Sequence, residues 1–306
     1  MAATSPSKKV LRRYILARHG ETTFNKEKRV QGTIDEESVL TLDGISQAAA
    51  LGIHIALRQR GKAMDAVDDA DMPSPLSLDA AVATIDPPIT RTWCSPLTRC
   101  RQTYAAINGC CSSYTNNNSC SNLLPDPTIH DDLREIHLCE WQGRLRQEII
   151  KEDPGNWNVF KKDPKQLKLG SDKSFAPVLD CWERGMKNWN AIRSDASTSS
   201  SSSEAAATKR GDLEVEESKQ QGSGAIFIMT HGAIGQCMLL LALGLSIEMY
   251  GKSRKYSFDN CECIEIEWAD GDEHSVRWRR VHPLATKWEC TAASQEMASG
   301  GLSCSR

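Results

Sequence analysis

Apolar residues along this chain follow two rhythms. Tyr14 to Ala17 and Ala225 to Met229 are short unbroken apolar runs, the signature of strands buried on both faces. Thr92-Trp93-Cys94 predicts a further short strand, and Cys261 to Trp268 alternates as a strand does. Between them the spacing is helical. Ile45, Ala48, Ala49, Gly52, Ile53 and Ala56 recur at helix period, with Thr41 placed to cap the first turn. Pro96 suits a helix start, and Leu97, Cys100, Ala105 and Ile107 continue from it. Cys181 to Trp189 predicts a helix with Trp182, Met186 and Trp189 on one face, and Ile234 to Leu243 predicts one that stops at Gly244. Strands interleaved with helices predict an α/β fold with a largely parallel central sheet.

Four stretches break the pattern. Residues 61–88 are rich in Asp, Ala, Ser and Pro; residues 108–122 carry an Asn-rich string; residues 194–224 hold a serine tract and then a charged segment. The tail from 285 to 306 is small and polar. Such segments bury too little apolar surface to offset chain entropy, so loops or disorder are expected there. What remains, 10–284, is expected to be one domain carrying these insertions.

Composition adds mainly exclusions. Hydrophobic residues at 40% and charged residues at 25% are ordinary for a soluble globular protein. A formal net charge of -3 gives no reason to expect a nucleic-acid or anionic-membrane partner. About a dozen residues precede the first strand, too few for a signal peptide, and the longest apolar stretch, Met238 to Leu243, falls far short of a membrane span. A cytoplasmic location with its 12 cysteines reduced is the expectation. Cys261-Glu262-Cys263 is a lone CxC, read as small residues along a strand rather than a metal site.

The chemistry gathers where strands end. Arg18-His19-Gly20 closes the first apolar run and Thr230-His231-Gly232 closes the late one, and in parallel sheets ligand sites form at the carboxyl ends of strands. Arg18-His19-Gly20-Glu21-Thr22-Thr23-Phe24-Asn25 resembles the signature of the histidine phosphatase superfamily, also called phosphoglycerate-mutase-like. Gln31 to Asp35, Leu40 to Ala48, Ser95 to Thr103, Leu133 to His137 with Trp141-Gln142-Gly143, and Thr230-His231-Gly232 match the blocks that follow it in that family.

The resemblance implies a three-layer α/β/α fold and a role for each matching residue. His19 would be the nucleophile, since a neutral imidazole offers a lone pair near neutral pH. Arg18 and Arg99 would clamp phosphoryl oxygens with their planar guanidinium groups. His231 and Asn25 would be further donors, and the helix opening after Gly232 would aim main-chain amides at the same anion. Glu135 would be the general acid and then the base that activates water. Glu140 lies nearby as a rival for that role. Arg101 and His137 are expected beside the site or at the surface, and Glu21 at the pocket mouth or simply at a helix start. Cys139 stands where the family usually has glycine. Neither a metal nor another cofactor is called for, because the arginine cradle supplies the electrostatics of phosphoryl transfer.

The family contains hydrolases and mutases alike. The region Arg144 to Pro154 lacks the arginine pair and proline-rich stretch of the cofactor-dependent mutases, which favours hydrolysis of a small phosphorylated metabolite. Asp132 to Ile136, Trp141-Gln142-Gly143, Trp157 to Pro164 and Pro177 to Trp182 are similar to the plant-type 2-carboxy-D-arabinitol-1-phosphatase group, which implies a phosphorylated sugar or sugar acid as substrate. A phosphoglycerate mutase and a non-catalytic phospho-ligand-binding member remain the alternatives.

Overall fold

A computed structural model describes residues 11–60, 88–114, 123–198, 224–269, 276–282 and 285–290. Strand β1 (Leu11–Arg18) leads through the short helix α1 (Thr23–Glu27) to α2 (Leu42–Arg60). Strand β2 (Ile89–Cys94), helix α3 (Thr98–Tyr114) and strand β3 (Pro127–Ile129) follow. Helices α4 (Arg146–Glu152), α5 (Pro154–Lys162) and α6 (Pro177–Thr198) come next. Then come strand β4 (Ala225–Thr230), helix α7 (Gly232–Ala242) and strands β5 (Cys263–Ala269), β6 (Arg277–His282) and β7 (Ala285–Cys290).

The strands form one sheet in the order β3-β2-β4-β1-β5-β6-β7. The first four are mutually parallel; β5, β6 and β7 are added antiparallel, so β6 again points with β1. Most strands therefore share one direction. Side chains alternate across β1 and β4. Tyr14, Leu16, Ile226 and Ile228 join a core with Cys181, Trp189 and Ile192 of α6 and Cys237 to Leu240 of α7. Ile15, Ala17, Phe227 and Met229 join another with Leu51 and Ile55 of α2 and Cys100 and Ile107 of α3. Helices on both faces explain why β1 and β4 read as unbroken apolar runs.

Several elements differ from the sequence pattern. Helix α3 runs on through Tyr114 and α6 through Thr198, because a nucleated helix propagates at little cost, so parts of the expected insertions at 108–122 and 194–224 are helical. The rest of those two segments, and nearly all of 61–88, lie outside the described residues. Residues 285–290, expected in the tail, pair with β6, whose edge otherwise offers unpaired main-chain groups. On α6 the buried stripe is Val178, Cys181, Gly185, Trp189 and Ile192, whereas Met186 turns outward at 42% exposure. The alternation in β5 also misleads: Glu265 and Glu267 are buried like the neighbouring Ile264 and Ile266. Arg58 and Arg279 pair with Glu265, and Arg13 with Glu267.

Strand register is what positions the site. Ala17 and Cys94 both pair with Met229, so β1, β4 and β2 end at the same level and deliver His19, His231 and Ser95 side by side.

Candidate active site

His19 is fixed through its main chain first. Its N–H donates to Thr230 O at 3.1 Å, and its carbonyl accepts from Cys261 N and from Asn260 Nδ2 at 3.0 Å. The next residue is glycine for a steric reason. A Cβ on Gly20 would meet Gly44 O at 2.5 Å, and a Cβ on Gly44 would meet Glu21 O at 2.0 Å. Main chain lies directly on main chain, which ties the histidine loop to the first turn of α2. Thr41 completes that turn, its Oγ1 accepting from Gly44 N at 3.0 Å. Glu21 is spent here too, accepting from the Thr41 hydroxyl at 2.9 Å.

The His19 ring is 1% exposed, with Nδ1 2.8 Å from Gly20 O. A carbonyl can only accept, so Nδ1 carries the proton and Nε2 keeps its lone pair. Burial, then the charges of Arg99 and Arg18, push its pKa well below the ordinary histidine value. The ring is therefore neutral and its Nε2 is unprotonated.

His231 lies beside it, ring centroids 5.2 Å apart and planes at 62°. Arg99, fully buried, donates from Nε to His231 Nδ1 at 3.2 Å, from Nη1 to Ile34 O at 2.8 Å and from Nη2 to Gly32 O at 2.7 Å. Because Arg99 only donates, His231 Nδ1 is an acceptor and Nε2 bears the proton, donated to Ser95 Oγ at 2.7 Å. Burial, followed by Arg99, His19 and Arg18, pushes this pKa well down as well. Both ring nitrogens of His231 thus have protein partners. To reach a phosphoryl oxygen, Nε2–H would have to share or exchange its Ser95 bond.

Arg18 donates from Nη1 to Phe258 O at 2.7 Å, while its buried Nε has no hydrogen-bond partner. A Cβ on Gly232 would stand 3.7 Å from both Arg18 Nε and Glu135 Oε2, so guanidinium and carboxylate flank the same bare glycine. The carboxylate of Glu135 accepts from Ile136 N at 2.9 Å, Ala233 N at 3.0 Å and Ile234 N at 3.4 Å. The amides expected to face a substrate phosphate at the start of α7 therefore hold Glu135 instead, since a carboxylate is itself an anion at a helix N-terminus.

Asn25 caps α1. Its Oδ1 accepts from Thr22 N, Thr22 Oγ1 and Asn260 Nδ2, which leaves Nδ2 as its donor end. Glu140 points elsewhere, binding Gly170 N at 3.0 Å and Lys173 Nζ at 2.9 Å. His137 contacts Thr33 Oγ1 at 2.9 Å and sets its ring against Phe175, and Arg101 is exposed on α3. Cys139 adopts φ 41°, the left-handed conformation that the family's glycine would take without strain.

Three contributors to the site are not singled out from the sequence, and two of them, Asn260 and Arg184, carry no local signal there. Asn260 orients both the His19 carbonyl and Asn25. Gln142 Oε1 accepts from Thr33 N at 2.7 Å and so fixes the loop whose carbonyls hold Arg99. Arg184, on α6, binds main-chain carbonyls around Glu135. Gln142 sits inside a recognisable block, but its partner is 109 residues away.

Two neutral histidines and Arg18 at the ends of parallel strands stand together with Arg99 from the first turn of α3 and with the Glu135 carboxylate. The sequence model of the histidine phosphatase superfamily (branch 1) matches residues 14–65, 78–198 and 171–281, and the chain belongs to that superfamily. It is 26% identical over 274 residues to the probable 2-carboxy-D-arabinitol-1-phosphatase of Arabidopsis thaliana, covering 89% of this chain and 42% of that one. To the 2-carboxy-D-arabinitol-1-phosphatase of Triticum aestivum it is 25% identical over 239 residues, 78% of this chain and 34% of that one. The chain spans less than half the length of either relative. Its fold is similar to that of a mycobacterial glucosyl-3-phosphoglycerate phosphatase, with a TM-score of 0.54 and 17% identity over 88% of this chain and 97% of that one. No helix among the described residues is long and apolar enough to cross a membrane.

Proposed function

We propose that this chain hydrolyses a small phosphate monoester through a phosphohistidine formed on His19. The observation that carries this reading is the unprotonated Nε2 of a buried His19, set among two arginines with the Arg18 Nε lacking any protein partner. Nε2 attacks phosphorus while the bond to the ester oxygen breaks, and Glu135 in its acid form supplies the proton that oxygen needs. Arg18 and Arg99 balance the charge on the phosphoryl oxygens, with Asn25 Nδ2 and His231 Nε2–H as neutral donors. Glu135, now a carboxylate, takes a proton from water as the water oxygen attacks phosphorus. The N–P bond breaks, its electrons return to Nε2, and inorganic phosphate leaves. These steps need no metal ion or other cofactor.

The finer reading is a phosphorylated sugar or sugar acid. It is supported by the names of the two plant relatives and by Arg146, exposed at the start of α4, whose charge acts on Arg18 and offers a second anion site.

The test is a panel of aryl phosphates, sugar phosphates and phosphoglycerates, with phosphate release and isomerisation measured separately. Wild-type protein should release phosphate and yield an acid-labile phosphoenzyme. His19→Ala should lower release by about 10³-fold or more and abolish the phosphoenzyme. Equal activity of the two proteins would overturn the assignment of His19. Isomerisation of 3-phosphoglycerate outrunning release would make the chain a mutase, and absence of turnover on every substrate would make it a binding protein.

A further inference from the structure

Glu135 does not sit on a regular element. It lies in the irregular segment between a 3-10 turn ending at Leu133 and another starting at Cys139, where neither sheet nor helix fixes the main chain. Its carboxylate is held by three amides, while the flanking Leu133 and Ile136 are buried and Leu133 O accepts from Thr230 Oγ1 at 3.5 Å.

The carbonyls of residues 132, 134 and 135 are held by Arg184. Arg184 donates from Nη1 to Arg134 O at 2.7 Å and to Asp132 O at 3.1 Å, and from Nη2 to Glu135 O at 3.3 Å. Its Nε donates to Asp180 Oδ2 at 3.0 Å, one turn earlier on α6, which aims the guanidinium. A second tie runs alongside, from exposed Lys187 Nζ to Asp132 Oδ2 at 2.5 Å. Three carbonyls of one short segment converge on a planar fork, an arrangement an ammonium group cannot reproduce. The hydrogen bonds of Arg184 go to main-chain carbonyls and Asp180; its charge acts on Glu135, but it makes no hydrogen bond to that carboxylate or to His19.

We propose that Arg184 is the positioning residue for the acid–base carboxylate, setting where Glu135 stands relative to the leaving oxygen through the main chain of residues 132–135. The proposal rests on the reading of Glu135 as general acid given above. It predicts a chemical signature that loss of fold stability does not produce. A misplaced acid penalises substrates whose leaving group needs a proton and spares those that leave as stable anions.

The experiment compares kcat/KM on glycerol 2-phosphate and p-nitrophenyl phosphate for wild type, Glu135→Gln, Arg184→Met, Arg184→Lys, the Glu135→Gln/Arg184→Met double variant and Lys187→Ala. Arg184→Met should lose at least about 10-fold more on glycerol 2-phosphate than on the aryl ester, since a misplacement near 1 Å costs on that scale. Arg184→Lys should show a smaller split in the same direction, and Lys187→Ala none. The double variant should show no larger split than Glu135→Gln alone, because both changes act on one proton transfer. If Glu135→Gln itself shows no split, the reading of Glu135 as acid fails and this proposal goes with it. If Glu135→Gln splits the substrates while Arg184→Met and Arg184→Lys lower both equally, the positioning role is refuted and Glu135 stands. Should Arg184→Met not fold by circular dichroism, Arg184→Lys decides the matter alone.

Discussion

Two histidines that stay neutral inside the protein make its stability depend on pH in a defined window. His19 and His231 are 1% and 0% exposed, and both have pKa values pushed well below 6.5 by burial and by neighbouring arginine charge. In the unfolded chain both titrate near the ordinary value of about 6.5. Above that pH neither state binds the proton, and the stabilisation is fully present. Below it the unfolded chain takes up protons that the folded protein refuses, so stability is lost as pH falls toward the folded values. From pH 7.5 to pH 5.5 each histidine costs about 1.4 kcal/mol, or about 2.7 kcal/mol for the pair, when both folded values lie below the window. Urea unfolding followed by tryptophan fluorescence measures this directly, with a His19→Gln/His231→Gln variant as the reference in which other groups titrate alike. The wild type should lose about 2.7 kcal/mol more than the variant between the two pH values. A difference within about 0.5 kcal/mol of zero, roughly the error of such extrapolations, would refute the neutral-histidine account.

Two substitutions test the scaffold around these residues. Gly44→Ala places a methyl 2.0 Å from Glu21 O with no flexible side chain to yield, so it should cost about 1–3 kcal/mol in thermal or urea unfolding and lower kcat. Exposed Ser46→Ala, two residues further on in α2, should leave both unchanged, and an unperturbed Gly44→Ala would show that the two main chains do not pack as described. Gln142→Met removes the acceptor for Thr33 N, Thr33 Oγ1 and Leu138 N and should cost about 1–3 kcal/mol while weakening competitive inhibition by inorganic phosphate. Gln142→Glu, which keeps the acceptor, should restore most of that inhibition; equal losses in both variants would count against the loop's hold on Arg99.

Much of this site is legible in the sequence because strand ends concentrate it. His19 and His231 follow apolar runs that had to be buried strands, and parallel packing then forces their ends to one level. Arg99 and Glu135 come from blocks with a family resemblance, and the fold sets Arg99 against His231 and Glu135 beside Gly232 and Arg18. Arg184 and Asn260 are different in kind. Their contacts, to residues 49 and 241 positions away, exist only after the chain has folded, and neither has a sequence neighbour that announces it. The alternation in β5 predicts a strand but not the burial of Glu265, because the arginines that pair with it lie on α2 and β6. Extension of α3 and α6 beyond their apolar patterns reflects helix propagation into residues whose side chains favour other conformations.

The paired neutral rings have one more consequence, for how the protein senses its ligand. Among the described residues, the positive charges acting on the two histidines are those of arginines, which keep their protons throughout the biological range. Attraction for a phosphate ester therefore does not switch off with rising pH as it would in a pocket built on imidazolium. Among the groups proposed to bind the phosphoryl oxygens the charge stays constant, so inhibition by inorganic phosphate should follow that ion's own second ionisation, near pH 7.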